Sequence, residues 1–568
     1  MIDTHAPAGE RHDGSARRHF KRPAERAFTA RERARVTLLF GGLTVRHDQL
    51  MAAGIEGLGY RAQAILPPTK ADFQAGREYG NNGQCNPTYF TVGALVNFLK
   101  HLRDEQGLPV ERILADYVFV TVGSCGPCRF GMYEAEYRLA LRNSGFDGFR
   151  VLVFSQEAGL SQSEAAEVGL ALNPLFFATL INAVMVGDLL TELTHQLRPY
   201  EVEAGATDRI LARCLAICQE ALRQGEDANR AGMMWRGLAK LLSLDDADSY
   251  ADLLAQYRGQ RLCAALERCR ALIEAGFAVD YTRPRPVAKI TGEFWAQTTE
   301  GDGNFHMFRF LEGEGAEVLV EPVATWIDYT LYHARQWMRD RQGLAAGDMP
   351  WRGGLRQAWR YRKNLLLLTL ASKLFRRAYE RRRLALGGTA HALASQFELQ
   401  RVGHPYYNSR CGGGEGHLEV AKNIYYSHRN LAHLVLSLKP FGCMPSTQSD
   451  GAQAAVLAHY PDMSFLPVET SGEGDINAYS RVQMALGEAQ AKCRQEFGQA
   501  LARSGWRLED IRAFVARHPD LQRPLLQIPH PPGVTGLAAR FILYVAGQMD
   551  RDQTWAGRKS AVPAEGAT

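Results

Sequence analysis

Two cysteines stand three residues apart in Asp116-Tyr-Val-Phe-Val-Thr-Val-Gly-Ser-Cys125-Gly-Pro-Cys128, where an apolar, β-branched run breaks into a glycine–proline turn. This spacing can bring two sulfurs to one metal or cluster, or let them form a disulfide. Placement at a strand end favours ligation over thiol–disulfide exchange or plain packing. Cys85 lies in Tyr79-Gly-Asn-Asn-Gly-Gln-Cys85-Asn-Pro87, and Cys443 in Ser437-Leu-Lys-Pro-Phe-Gly-Cys443-Met-Pro445. Glycine and asparagine tolerate turns with positive φ, which expose backbone N–H groups that can bond cluster sulfides. Pro440 and Pro445 fix the second loop, and Ser446 is the expected N-cap of the next helix. A helix N-terminus beside a thiol lowers its pKa.

Cys411 precedes Gly412-Gly-Gly-Glu-Gly-His417, a run that either approaches an anion or cluster or simply turns. The glycines expected to contact a cofactor are Gly123, Gly126, Gly412, Gly413 and Gly442. Glu293 follows Gly292 and Glu469 precedes Thr470-Ser-Gly472. Each ends an expected strand and is a candidate acid/base group or ligand acceptor facing one cleft. Cys214, Cys218, Cys263 and Cys269 sit in apolar amphipathic stretches and read as core. Cys493 receives no role. His306, His404 and His417 lack any metal-ligand spacing, and the chain contains no Walker A loop, GxSxG elbow or GxGxxG fingerprint.

The elements that must position these residues alternate. Strands are expected at 36–40, 61–66, 117–122 and 150–155, with helices at 47–58, at 91–105 and after Cys128. Alternation of this kind indicates a parallel sheet, whose ligands gather at the carboxyl ends of the strands. The expected organisation is a basic arm at 1–35, a first α/β lobe at 36–160 carrying Cys85, Cys125 and Cys128, and a helical region at 161–285. A second α/β lobe begins at 286–335 and resumes at 401–505 with Cys411 and Cys443. A basic, leucine-rich helical insertion at 336–400 interrupts it, and a helical tail occupies 506–568. In the second lobe, strands are expected at 317–322, 431–438 and 464–469. Helices should begin near 448 and run over 477–503. The fold class is therefore α/β, with two doubly wound lobes and thiols on both.

At 568 residues, 46% hydrophobic and 22% charged, the composition is that of a soluble multidomain protein. The N-terminus has no apolar signal region, so the expected location is cytoplasmic, with reduced thiols. Ten cysteines in that setting read as ligands, nucleophiles or core, not as a disulfide framework. The longest apolar stretch, 174–190, contains Asn182, Gly187 and Asp188 and reads as a buried helix, so no membrane span is expected. A net charge of +5 gives no argument for nucleic acid.

Five segments carry a resemblance. They are Gly76-Arg-Glu-Tyr-Gly-Asn-Asn-Gly-Gln-Cys85-Asn-Pro-Thr-Tyr-Phe90, Gly123-Ser-Cys125-Gly-Pro-Cys-Arg-Phe-Gly-Met-Tyr133, Lys289-Ile-Thr-Gly-Glu-Phe-Trp295, Glu415-Gly-His-Leu-Glu-Val-Ala-Lys422 and Lys439-Pro-Phe-Gly-Cys443-Met-Pro-Ser-Thr-Gln448. Together they resemble the 2-hydroxyacyl-CoA dehydratase, benzoyl-CoA reductase and double-cubane cluster protein superfamily. In particular they resemble the carboxy-terminal part of long CoA-substrate-specific enzyme activase proteins. The resemblance implies an oxygen-sensitive iron–sulfur protein, with a cubane (4Fe–4S) or double-cubane cluster between Rossmann-like lobes. It implies Cys85, Cys125 and Cys443 as ligands, then Cys128, and Cys411 last. It also implies an acyl-CoA substrate and an ATP-hydrolysing activase as partner; a homodimer is compatible with it. The chain has no phosphate loop of its own, so ATP belongs to the partner. Two other readings stand beside this one: a non-catalytic metal-containing scaffold that docks an activase, and a thiol–disulfide oxidoreductase.

Overall fold

The computed structural model describes residues 25–123, 128–155, 159–160, 169–226, 256–257, 260–341, 354–412 and 414–552. Cys125, Gly126, Gly413 and most of the 1–35 arm lie outside them. The protein is α/β, with two sheets among the described residues. The first contains β1 (Thr37–Phe40), β2 (Arg61–Ala64), β3 (Tyr117–Gly123), β4 (Val151–Ser155) and the short edge strand β5 (Gly159–Leu160), in the order β2-β1-β3-β4-β5. All pairings are parallel except β4 with β5. The second contains β6 (Val287–Gly292), β7 (Glu317–Leu319), β8 (Leu434–Pro440) and β9 (Phe465–Thr470), in the order β7-β6-β8-β9, wholly parallel.

Both sheets are covered on two faces, which is why their central strands read as continuous apolar runs instead of alternating. In the first, Leu39, Phe119, Val151 and Val153 pack on the helices Asn86–Asp104 and Tyr133–Asn143. Their neighbours Leu38, Phe40, Val118 and Leu152 face Ile55 and Phe176 on the other side. In the second, Ile290, Leu436 and Val468 meet the helices Met307–Gly313 and Asp475–Ser504. Val287 and Val435 meet Tyr426 of the helix Gly416–His428.

Strand order places the third strand beside the first in each sheet, so the winding reverses between β1 and β3 and between β6 and β8. The crevice outside the carboxyl ends at such a reversal is the usual ligand site of an open α/β sheet. The loops that leave those ends carry Cys128, Glu293 and Cys443.

Two helices start earlier than the sequence suggests. The expected helix at 91–105 begins at Asn86, and the one expected near 448 begins at Met444. Pro87 and Pro445, read as loop residues, lie in the first turn, where a missing N–H costs nothing. Cys85 and Cys443 are consequently the N-cap residues, and Ser446 lies inside the helix instead of capping it. The helices Gln396–Gly403 and Gly416–His428 were not anticipated.

Helix Pro174–Leu197 is long and apolar enough to cross a membrane, yet 72% of its most apolar window is buried inside the protein. As expected, it is a core helix, packed with Cys214, Cys218 and Cys269 in the largest apolar cluster. Its Asp188 fastens both sheets' surroundings together. The carboxylate bonds His47 Nε2 at 3.0 Å and accepts from the N–H groups of Val323 and Ala324 at 2.7 and 2.9 Å.

Helix Asn86–Asp104 crosses Lys70–Tyr79 at backbone contact. A Cβ on Gly93 would lie 1.7 Å from the Asp72 carbonyl oxygen, and one on Gly76 1.9 Å from that of Tyr89. Gly93→Ala is expected to push the helix that carries Cys85 off its seat and to destabilise the protein by roughly 1–3 kcal/mol, the usual cost of overpacking, visible as a lower thermal midpoint.

Candidate metal centre

Three cysteines that the sequence singles out converge between the sheets, and each is an N-cap. Cys85 caps Asn86–Asp104, Cys443 caps Met444–His459, and Cys128 caps the short 3-10 turn Arg129–Met132. Cys85 and Cys443 are buried and Cys128 is partly buried. The two long helices direct their positive ends at the sulfurs they cap, which favours negative charge there.

The two sheets meet at this point. Asn86 N–H donates to the Phe441 carbonyl at 3.1 Å, and Asn86 Nδ2 donates to that of Thr470 at 2.8 Å. The loop carrying Cys443 thus lies against Cys85. Gly442 has φ of +77°, which favours glycine, and a Cβ on it would stand 3.4 Å from Cys85 Cα, so the two loops are in contact. Gly414 closes the third side, its Cβ position 3.7 Å from Cys128 Cβ.

The Cys85 sulfur has two hydroxyl neighbours, Tyr133 Oη at 3.2 Å and Thr88 Oγ1 at 3.3 Å. Two carboxylates complete the group. Glu293 caps Phe294–Thr298 by accepting from Ala296 N–H at 2.9 Å. Glu415 Oε1 accepts from Phe294 N–H at 2.5 Å. Loss of water, then the nearby Glu415 charge, pushes the Glu293 carboxyl up to about 8. Glu415 is raised by burial as well. The Cys128 thiol is pushed up to about 12, chiefly by burial, with Glu415, Glu293 and Cys85 adding repulsion against the Phe130 N–H. Burial and Glu293 raise Cys443 too, opposed by the Ser446 hydroxyl and N–H.

Other candidates are placed elsewhere. Glu469 is exposed near the end of β9, and its neighbour Thr470 is buried. Cys411 is exposed, with Tyr407 Oη 4.0 Å from its sulfur, and does not share the burial of the other three. Gly412 has ordinary room, 3.5 Å from His333, so nothing there requires a glycine. Gly123 ends β3 opposite Ser155. His417 is buried and kept neutral, pushed down to about 4 by desolvation, with neither ring nitrogen hydrogen-bonded. Tyr133, Asn86 and Glu415 escaped the sequence reading as site residues, because no local spacing announces a contact across 48 residues or across the two sheets, and so did Thr88, only three residues from Cys85.

Cys85, Cys128 and Cys443 come from three separate loops, each at an N-cap position. Among the described residues, no group of three or more His, Cys, Asp or Glu closes on one point as a single ion would require. The cysteines and carboxylates are all acidic groups. Together in low dielectric they must keep their protons or share a cation. No protein-family model and no curated protein matches this chain.

Proposed function

We propose that the chain is an iron–sulfur electron-transfer component of the reductase or dehydratase type, related to the 2-hydroxyacyl-CoA dehydratase and benzoyl-CoA reductase superfamily. The two sheets act as Rossmann-like lobes with the cluster between them. Convergence of three N-cap cysteines from both sheets, beside the carboxyl groups of Glu293 and Glu415, carries this reading.

Cys85, Cys128 and Cys443 would hold the group, joined by Cys125 of the same CxxC. A cubane or double cubane supplies single low-potential electrons, the requirement for dehydrating an unactivated 2-hydroxyacyl thioester or reducing an aromatic acyl-CoA. The chain's own residues set the conditions. The helix N-termini at Cys85 and Cys443 favour the anionic sulfurs. The Tyr133 and Thr88 hydroxyls stand within reach of the Cys85 sulfur to donate. Glu293, largely protonated at neutral pH, holds a proton beside the cysteines. Burial keeps water from a radical. Electrons would come from an ATP-hydrolysing activase, the partner that the resemblance implies.

Potentiometric titration of the anaerobically reconstituted protein tests the reading. The expected result is a reversible one-electron couple reached by a strong reductant such as titanium(III) citrate. A protein that holds no reducible centre contradicts it. In the same titration, Tyr133→Phe is expected to move the midpoint to more negative potential. The shift should be up to roughly 1.5 kcal/mol in free energy, because a hydroxyl that stabilises the sulfur charge is lost.

A further inference from the structure

We propose that the helix pair Val323–Asp340 and Gly354–Ala385 binds peripherally to an anionic lipid surface, with the outer side of the second helix as the contact. The pair packs together, but its two ends differ. The carboxyl half of the second helix is rooted in the protein. Phe375, Ala378, Tyr379 and Arg382 are buried there, and Arg382 donates to Asn182 Oδ1 at 2.7 Å. Over 358–371, by contrast, no residue is buried.

That free half exposes Trp359 (68%), Leu366 (68%) and Leu370 (50%). Spacings of seven and four residues put all three on one narrow stripe of a helix with 3.6 residues per turn. Arg362, Lys363, Lys373 and Arg377 fall on or beside the same stripe. Among the described residues, none of these four cations is paired with a carboxylate in a salt bridge. From 354 to 379 the sequence contains no Asp or Glu. A second exposed tryptophan, Trp337 (48%), ends the first helix, with the Arg341 guanidinium over its ring at 3.3 Å.

Apolar anchors, long-stemmed cations and an exposed tryptophan on an acid-free stretch, as over 354–379 of the second helix, are the features of a helix lying in a headgroup layer. The stripe is linear and the cations lie beside its apolar residues, so Lys and Arg can reach up to phosphates while Leu366 and Leu370 enter the acyl boundary. Negative lipid matches the charge, and the proposal is independent of what the cysteines bind.

Flotation of the full chain with vesicles tests this. The protein should float with phosphatidylcholine vesicles containing phosphatidylserine and stay behind with phosphatidylcholine alone. Raised salt should release it. The variant Trp359→Ser/Leu366→Ser/Leu370→Ser should bind roughly tenfold more weakly. Its thermal midpoint should be unchanged, since these side chains are exposed. Equal recovery with both vesicle types, or wild-type flotation by the triple variant, would overturn the proposal. So would retention on heparin without flotation, which would instead indicate an acidic protein or nucleic-acid partner.

Discussion

Serine in place of Cys85, Cys128 or Cys443 is expected to lower the iron bound by the anaerobically prepared protein, with Cys85→Ser and Cys443→Ser the most severe. Serine keeps the size of the side chain but gives up the soft thiolate that iron–sulfur clusters select. Cys85 and Cys443 stand where the two sheets meet, each on a long helix N-terminus, so loss of either removes the ligand from one side of the crevice. Each variant should retain less than about half of the wild-type iron and a weakened reduced-state EPR signal. Cys214→Ser and Cys269→Ser provide the contrast. Those thiols are packed in the apolar cluster around helix Pro174–Leu197, so the changes should affect stability and leave iron content alone. Iron unchanged in all three site variants would remove these cysteines as ligands.

The second large effect concerns Glu293 in the metal-free protein. Its folded-state pKa of about 8 lies above the ordinary 4.5, so over that interval the folded chain holds a proton that the unfolded chain releases. The stabilisation is complete below about pH 4.5 and is lost as pH rises through 8, with a limiting slope of roughly 1.4 kcal/mol per pH unit. Glu293→Gln should flatten this loss. The glutamine oxygen can still accept from Ala296 N–H, but no buried negative charge develops beside Glu415. Thermal midpoints of the two proteins should agree near pH 5 and diverge by pH 8.5, where the glutamine variant is the more stable. Parallel profiles would show that Glu293 does not titrate in this window.

Much of the fold was legible because sheets buried on both faces write their strands as apolar runs, as in Val118–Phe119–Val120 and Leu434–Val435–Leu436. Cys85, Cys128 and Cys443 were legible from their glycine and proline surroundings. Their N-cap status was not. Proline suits a rigid loop and a first helical turn equally well, so Pro87 and Pro445 could not mark where the helices begin. The burial of Thr470 beside an exposed Glu469 was not legible either. On the edge strand β9 both neighbours are polar, so residue type alone does not say which of Glu469 and Thr470 turns inward. The glycine run after Cys411 looks the same whether it cradles an anion or turns. The structure uses Gly414, against Pro445 and Cys128, and leaves Gly412 unconstrained. Tyr133 and Glu415 reach the site only through tertiary contacts, which no local pattern encodes.

Strictly anaerobic purification of the full chain, with iron, sulfide and zinc analysis and EPR before and after reduction, tests the central claim most directly. Iron with matching acid-labile sulfide and a signal that appears or changes on reduction is the predicted result. Zinc, or no metal after attempted reconstitution, would contradict a cluster between the sheets.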